Sequence, residues 1–194
     1  MMLRGFDSEV FDSQTVFRQL LTSMAYPGTI VKMEINLTCP GRLSPAAGAV
    51  LLALLDYETS LWTDLDPGSP ELKWLTFHTG APVIHDPSGA GFALITDMDN
   101  LAGPGRFSPG TSESPDISTT LIIQTQGMDP GRPLRLTGPG IENETFIHLP
   151  GIPEPFWENR TQTNQAYPAG IDMIVVHEER FCAIPRTTRI AVDR

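Results

Sequence analysis

One stretch limits the possible folds more than any other. Ser44 followed by Pro45 is a helix start, because the serine side chain can accept a hydrogen bond from the first turn and proline fits the first helical position, where no N–H is needed. Val50, Leu51, Leu52, Leu54 and Leu55 then make the helix apolar nearly all round, so no face is left for water. It has to be covered on every side, in the core of its own domain or in an interface. The run 46–55 is also the longest apolar stretch in the chain, and it is too short to cross a bilayer.

The rest of the chain supplies candidates for that cover. Asp12 or Ser13 can cap a first helix whose Val16, Phe17, Leu20, Leu21 and Met24 form one buried stripe, with Pro27 and Gly28 as the stop. Residues 29–38 set Val31, Met33, Ile35 and Leu37 against Lys32, Glu34 and Asn36, the alternation of a strand with one face inward. A short strand at 61–65 and a turn at Asp66-Pro67-Gly68 lead into Ser69-Pro70, a third helix start; that helix ends near Gly80 and carries His78 and Thr79 at its C-terminus. Strands at 92–96 and 119–125 flank a Gly-, Pro- and Ser-rich stretch, 103–115, expected to be an exposed, mobile loop.

Residues 134–137 and 145–149 read as antiparallel neighbours across the turn Gly138-Pro139-Gly140, and 153–165 as a short helix. The β-branched run 171–176 and its partner 181–184 close the chain as a hairpin around the polar turn 177–180. Helices and strands in this mixed order predict an α/β fold: a single domain over residues 1–194, with a mixed sheet flanked by helices.

Charge narrows the partners. The net charge is −10 and the chain keeps two lysines, Lys32 and Lys73, which argues against a surface that gathers nucleic acid or anionic membrane lipid. Arg4 runs directly into the acidic stretch 7–12 without the apolar core of a secretory signal. Cys39 and Cys182 form neither a disulfide framework nor a Cys-x-x-Cys site. The expectation is a cytoplasmic protein with buried, reduced thiols.

Motifs for chemistry are sparse. Gly138-Pro139-Gly140 lacks the Lys-Ser/Thr pair of a phosphate loop and reads as a turn. His78, His85, His148 and His177 show no metal-ligand spacing, so no metal is expected. No nucleophile elbow is present. Arg186-Thr187-Thr188-Arg189, taken as extended, places Arg186 and Thr188 on one face and Thr187 and Arg189 on the other, a set able to hold a phosphate or phosphonate. The same residues can instead pair with acidic neighbours, satisfy a helix end or line an interface.

Four separated stretches resemble the H subunit family of the bacterial carbon-phosphorus lyase complex. They are residues 17–28, ending Met24-Ala25-Tyr26-Pro27-Gly28; Phe77-His78-Thr79-Gly80-Ala81-Pro82; 134–141, around Gly138-Pro139-Gly140; and Tyr167-Pro168-Ala169-Gly170-Ile171-Asp172, followed by Ile184-Pro185-Arg186-Thr187-Thr188. The sequence departs from the family pattern at Arg189, where histidine is expected, and in its tail Val192-Asp193-Arg194.

The resemblance implies a fold similar to pyridoxal-phosphate-dependent transferases but without the cofactor, a homodimer, and work alongside the G, I, J and L subunits. With G, I and L the family joins an alkylphosphonate to the ribose carbon of ATP, displacing adenine. Two roles follow: an accessory subunit that docks through the 45–55 helix or the C-terminal hairpin, or a binding subunit in which His78, Thr79, Arg186, Thr187 and Thr188 line a ligand site. An unrelated small-molecule-binding α/β domain is the alternative.

Overall fold

The all-apolar helix is buried as its composition demands. In the computed structural model, which describes residues 2–99, 101 and 103–193, helix α2 (Pro45–Leu54) leaves Ala46, Ala47, Ala49, Val50 and Leu51 with no exposed surface. Ser44 caps it by accepting from Ala47 N at 3.2 Å. The cover comes from the chain's own core, which corrects the expectation that this helix docks onto partners.

That core is built on a six-stranded sheet in the order β1-β8-β7-β4-β3-β2. Strands β2 (Leu61–Thr63), β3 (Phe92–Ile95), β4 (Thr120–Gln124) and β7 (Asp172–His177) run parallel, and β8 (Arg180–Ile184) and β1 (Val31–Lys32) complete the sheet through antiparallel pairing. Both faces are covered, so the central strands are apolar throughout rather than alternating. Ile122, Ile174, Val176 and Phe181 face a cluster formed with α1 (Glu9–Ala25), α2 and α3 (Pro70–Thr79). Leu121, Ile123, Met173, Val175 and Cys182 face a second cluster. Its outer wall is helix α4 (Glu154–Thr163) and a three-stranded sheet, β6-β5-β9, of β5 (Asp129–Thr137), β6 (Thr145–His148) and β9 (Arg189–Val192). The fold is α/β with a mixed main sheet and a small antiparallel one. Among the described residues no helix is long and apolar enough to cross a membrane.

Several boundaries differ from the sequence reading, each for a physical reason. The 29–38 segment alternates in burial, with Met33 and Leu37 inside, but only Val31 and Lys32 form a ladder. Their partners are Phe181 and Arg180, and beyond Arg180 the partner chain has already turned. Helix α1 begins earlier than expected, at Glu9 after Ser8; Asp12 lies inside it and reaches back to accept from Ser8 N at 2.9 Å. Its buried stripe is narrower too, because Phe17 and Leu21 are exposed while Val16, Leu20 and Ser23 are buried.

The 103–115 loop is not wholly exposed. Pro104 and Phe107 are buried, Phe107 packs edge-on to Trp62 at 5.3 Å, and Arg106 lies over the same indole at 5.2 Å. Residues 186–189 are not one extended run: Thr188 N donates to Pro185 O at 2.9 Å in a turn, and Arg189 opens β9, a strand absent from the sequence reading. Arg194 lies outside the described residues. Cys39 and Cys182 are free, and burial pushes both thiols up to about 12.

Glu71, buried in the first turn of α3, anchors the loop before α2 by accepting from Arg42 N at 2.9 Å. That backbone hydrogen bond is the main reason its carboxyl lies below the ordinary value of 4.5. A depressed acid stabilises the fold above its ordinary value and loses that contribution as pH falls through the folded value. Glu71→Gln is therefore expected to be less stable than the parent chain at neutral pH, with the gap narrowing in acid as the pH falls through the folded value. Urea unfolding at neutral and acid pH measures it; a gap that stays constant contradicts the assignment.

Candidate functional site

Two regions collect the polar side chains, one at each end of the parallel strands. At their amino ends Asp172, the first residue of β7, faces Arg186, which follows β8. Arg186 donates from Nε and Nη2 to Asp172 Oδ2 at 3.0 and 2.5 Å, from Nη2 to Ser118 Oγ at 2.5 Å, and from Nη1 to the carbonyls of Pro115 and Pro168 at 2.7 and 3.3 Å. Asp172 Oδ1 also accepts from Arg186 N at 2.6 Å. Every guanidinium nitrogen is thus engaged by protein oxygen. This is the pairing with an acidic neighbour that the sequence left open beside ligand contact.

Beneath it lies a second arginine that sequence reasoning missed. Arg160 of α4 is 1% exposed and donates to three carbonyls, those of Thr188 (3.1 Å), Ile184 (3.3 Å) and Pro185 (2.8 Å). Burial pulls its guanidinium from 12.5 down to about 10, with Asp172 opposing that fall, so it stays charged at neutral pH. No sequence signal marked it, since it sits in a polar helix as one arginine among many.

Three of the four resemblance-bearing stretches meet around this arginine pair. Gly140 packs so closely on Ala25 O and Pro27 that a Cβ would collide with them. Gly138 lies against Thr187 O, and Gly170 against Arg186 and Asn164. Asn164 closes the cluster, accepting from Ile171 N at 2.9 Å and donating to Arg186 O at 3.2 Å. Thr188 is buried and its Oγ1 has no hydrogen-bond partner among the described residues, while Thr187 is half-buried.

His78 and Thr79 do not join this cluster. His78 Nε2 lies 3.0 Å from Leu3 O, with the ring edge-on to Trp74 and Phe77, and Thr79 Oγ1 donates to Leu75 O at 2.8 Å. They hold the N-terminal arm and the end of α3, and share no partner with Arg186, Thr187 or Thr188 among the described residues.

The carboxyl ends of β4 and β7 hold the other region, an open cleft of about 640 Å³. Arg42, Ser44, Gln124, Thr125, His177 and Glu178 line it. Open α/β sheets take their ligands at this end of the strands. Only the polar turn at 177–180 is visible in the sequence, because the cleft forms from three separate chain segments, 41–45, 124–125 and 176–179. No group of histidine, cysteine and carboxylate among the described residues could hold a metal ion.

The whole chain, not one site, carries the kinship. A family profile described as bacterial phosphonate metabolism protein (PhnH) matches residues 4–191. The chain belongs to the PhnH family. Two relatives match over most of their length. The alpha-D-ribose 1-methylphosphonate 5-triphosphate synthase subunit PhnH of Rhizobium meliloti (strain 1021) is 36% identical over 189 residues, covering 96% of this chain and 94% of the relative. A putative C-P lyase subunit protein, HtxG, of Stutzerimonas stutzeri is 31% identical over 181 residues, covering 91% and 85%. The PhnH match spans all four resemblance-bearing stretches, three of which converge on the arginine pair.

Proposed function

We propose that this chain is a subunit of a carbon-phosphorus lyase assembly in phosphonate catabolism. There it would support, with the G, I and L subunits, transfer of the ribose triphosphate moiety of ATP to an alkylphosphonate. The observation that carries the reading is end-to-end similarity to a relative named as a subunit of the synthase. A cytoplasmic location, contact with the J subunit and a homodimer belong to the same reading.

The arginine pair is then architectural. Arg186, Thr187 and Thr188 hold the fold together, and assembly falls to an exposed apolar surface. Helix α1 offers one: Val10, Phe11, Phe17 and Leu21 are exposed, and Tyr26 follows at the helix end. An apolar patch of this kind on a soluble chain marks an interaction site. Phe17→Asp combined with Leu21→Asp is expected to leave the circular dichroism spectrum and melting temperature unchanged while reducing copurification with the companion subunits at least about tenfold. Undiminished copurification would move the docking face elsewhere.

The reading also includes kinship in fold to pyridoxal-phosphate-dependent transferases without use of the cofactor. Such enzymes need a lysine for the Schiff base. Here Lys32 and Lys73 are both exposed, and Lys32 pairs with Glu179 at 3.4 Å.

A further inference from the structure

Strand β9 forms one edge of the small sheet: it pairs with β5 and, among the described residues, with no other strand. Its register fixes which backbone groups that pairing uses. Asp193 N donates to Pro133 O at 2.6 Å, so these two form a hydrogen-bonded pair, and in an antiparallel ladder such pairs alternate with pairs that exchange no hydrogen bond. Ala191 with Arg135 and Arg189 with Thr137 are then the bonded pairs. Ile190, opposite Leu136, and Val192, opposite Leu134, turn their N–H and C=O groups outward. No hydrogen bond among the described residues engages those outward groups. Neither a proline nor a bulge blunts the edge, and an unblunted edge is a template for a further strand.

Between this edge and helix α4 runs an open groove of about 500 Å³, with Glu154, Trp157 and Glu158 on one wall and Ile190 and Val192 on the other. Its floor is apolar and its rim acidic. Trp157 is buried, Ile190 and Val192 are half-buried, and both glutamates are exposed. No basic side chain lines the groove. Arg160 of the same helix is buried and spent on three carbonyls, and the alternation of the strands puts Arg135 and Arg189 on the other face of the sheet. Glu158 makes no ion pair among the described residues. A second copy of this chain would bring the same carboxylates to the groove, so the complementary occupant is basic. The long stems of arginine and lysine can cover apolar surface while their heads reach a carboxylate.

We propose that β9 accepts an extended segment of another polypeptide as an added strand, with arginine or lysine at alternate positions lying over Ile190 and Val192 and reaching Glu154 and Glu158. The groove lies across the main sheet from the apolar face of α1, and the inference is read on the isolated chain without resting on the assembly role. Titration of the full chain with a capped hexapeptide of alternating arginine and threonine tests it. That peptide should bind at least about tenfold more tightly than a counterpart with glutamate in place of arginine. It should also slow hydrogen exchange of the Ile190 and Val192 amides at least about tenfold, leaving Ala191, already bonded to β5, as it was. Val192→Pro removes an outward N–H from an edge strand, where proline is tolerated, and blocks the approach of a partner strand. It should weaken the peptide at least about tenfold relative to Val192→Ala, which trims the same side chain and keeps the amide. Glu158→Lys, a change at an exposed side chain, should weaken it as well and keeps the test open if the proline variant fails to fold. Equal binding by Val192→Pro and Val192→Ala, indifference to Glu158→Lys, unprotected Ile190 and Val192 amides in the bound chain, or no binding at millimolar concentration would each overturn the proposal. A dimer that Val192→Pro dissolves would overturn it too, by giving the edge to a second copy.

Discussion

Replacing Arg160 with methionine is expected to lower the unfolding free energy by about 3–5 kcal/mol. Methionine fills most of the same volume, so the loss reports the hydrogen bonds more than a cavity. The carbonyls of Ile184, Pro185 and Thr188 would each lose the guanidinium donor, with Pro185 O keeping Thr188 N, and a buried carbonyl left unpaired costs about 1–3 kcal/mol. For a chain of 194 residues each kcal/mol moves the melting temperature by roughly 2–4 °C, so a fall of about 10 °C or more is expected. Arg160→Lys should recover only part of it, because one ammonium group does not reproduce the planar fork that reaches three carbonyls. A methionine variant within about 1 kcal/mol of the parent would show that the guanidinium costs as much to bury as it returns.

Removing Arg186 is expected to cost nearly as much. Its side chain is 16% exposed and its partner Asp172 21%, so water screens the pair far less than a surface ion pair. Arg186 also joins elements distant in sequence: Ser118 and Pro115 ahead of β4, Pro168 and Asp172 at the entry to β7, and its own segment after β8. Arg186→Ala should lose about 3 kcal/mol, Asp172→Asn somewhat less, and the double variant clearly less than the sum, with a coupling of about 1–3 kcal/mol. Chemical denaturation of the four proteins gives that coupling directly. Full additivity would mean that the two residues act separately. If Arg186 instead served mainly to bind ligand, Arg186→Ala would keep its stability.

These two arginines show where sequence reasoning succeeds and where it stops. Local grammar placed α2 and α3 almost to the residue, because a serine cap followed by proline is a signal contained in adjacent residues. The C-terminal hairpin is equally legible: its β-branched strand pairs with 180–184, one residue longer than the 181–184 read from sequence. The short β1 was overread because alternation reports burial, whereas the ladder depends on how much partner strand is available. Strand β9 went unseen because its pairing partner, β5, lies some fifty residues earlier in the chain.

The candidate sites follow the same division. Arg186, Thr187 and Thr188 stood out as a cluster in sequence and do form a cluster in space, but the oxygens that engage Arg186 come from Asp172, Ser118, Pro115 and Pro168, none of which a local motif contains. His78 and Thr79 carried the resemblance without sharing that cluster. The cleft of Arg42, Gln124 and His177 left no pattern at all, since it exists only once β4 and β7 pair and α2 folds over their ends.

The measurement that bears most directly on the central claim is copurification of this chain with the G, I, J and L subunits, followed by assay of the assembled complex for conversion of ATP and methylphosphonate with and without the chain. The account predicts stable association and loss of conversion when the chain is omitted. No association, or conversion unaffected by its omission, would contradict it.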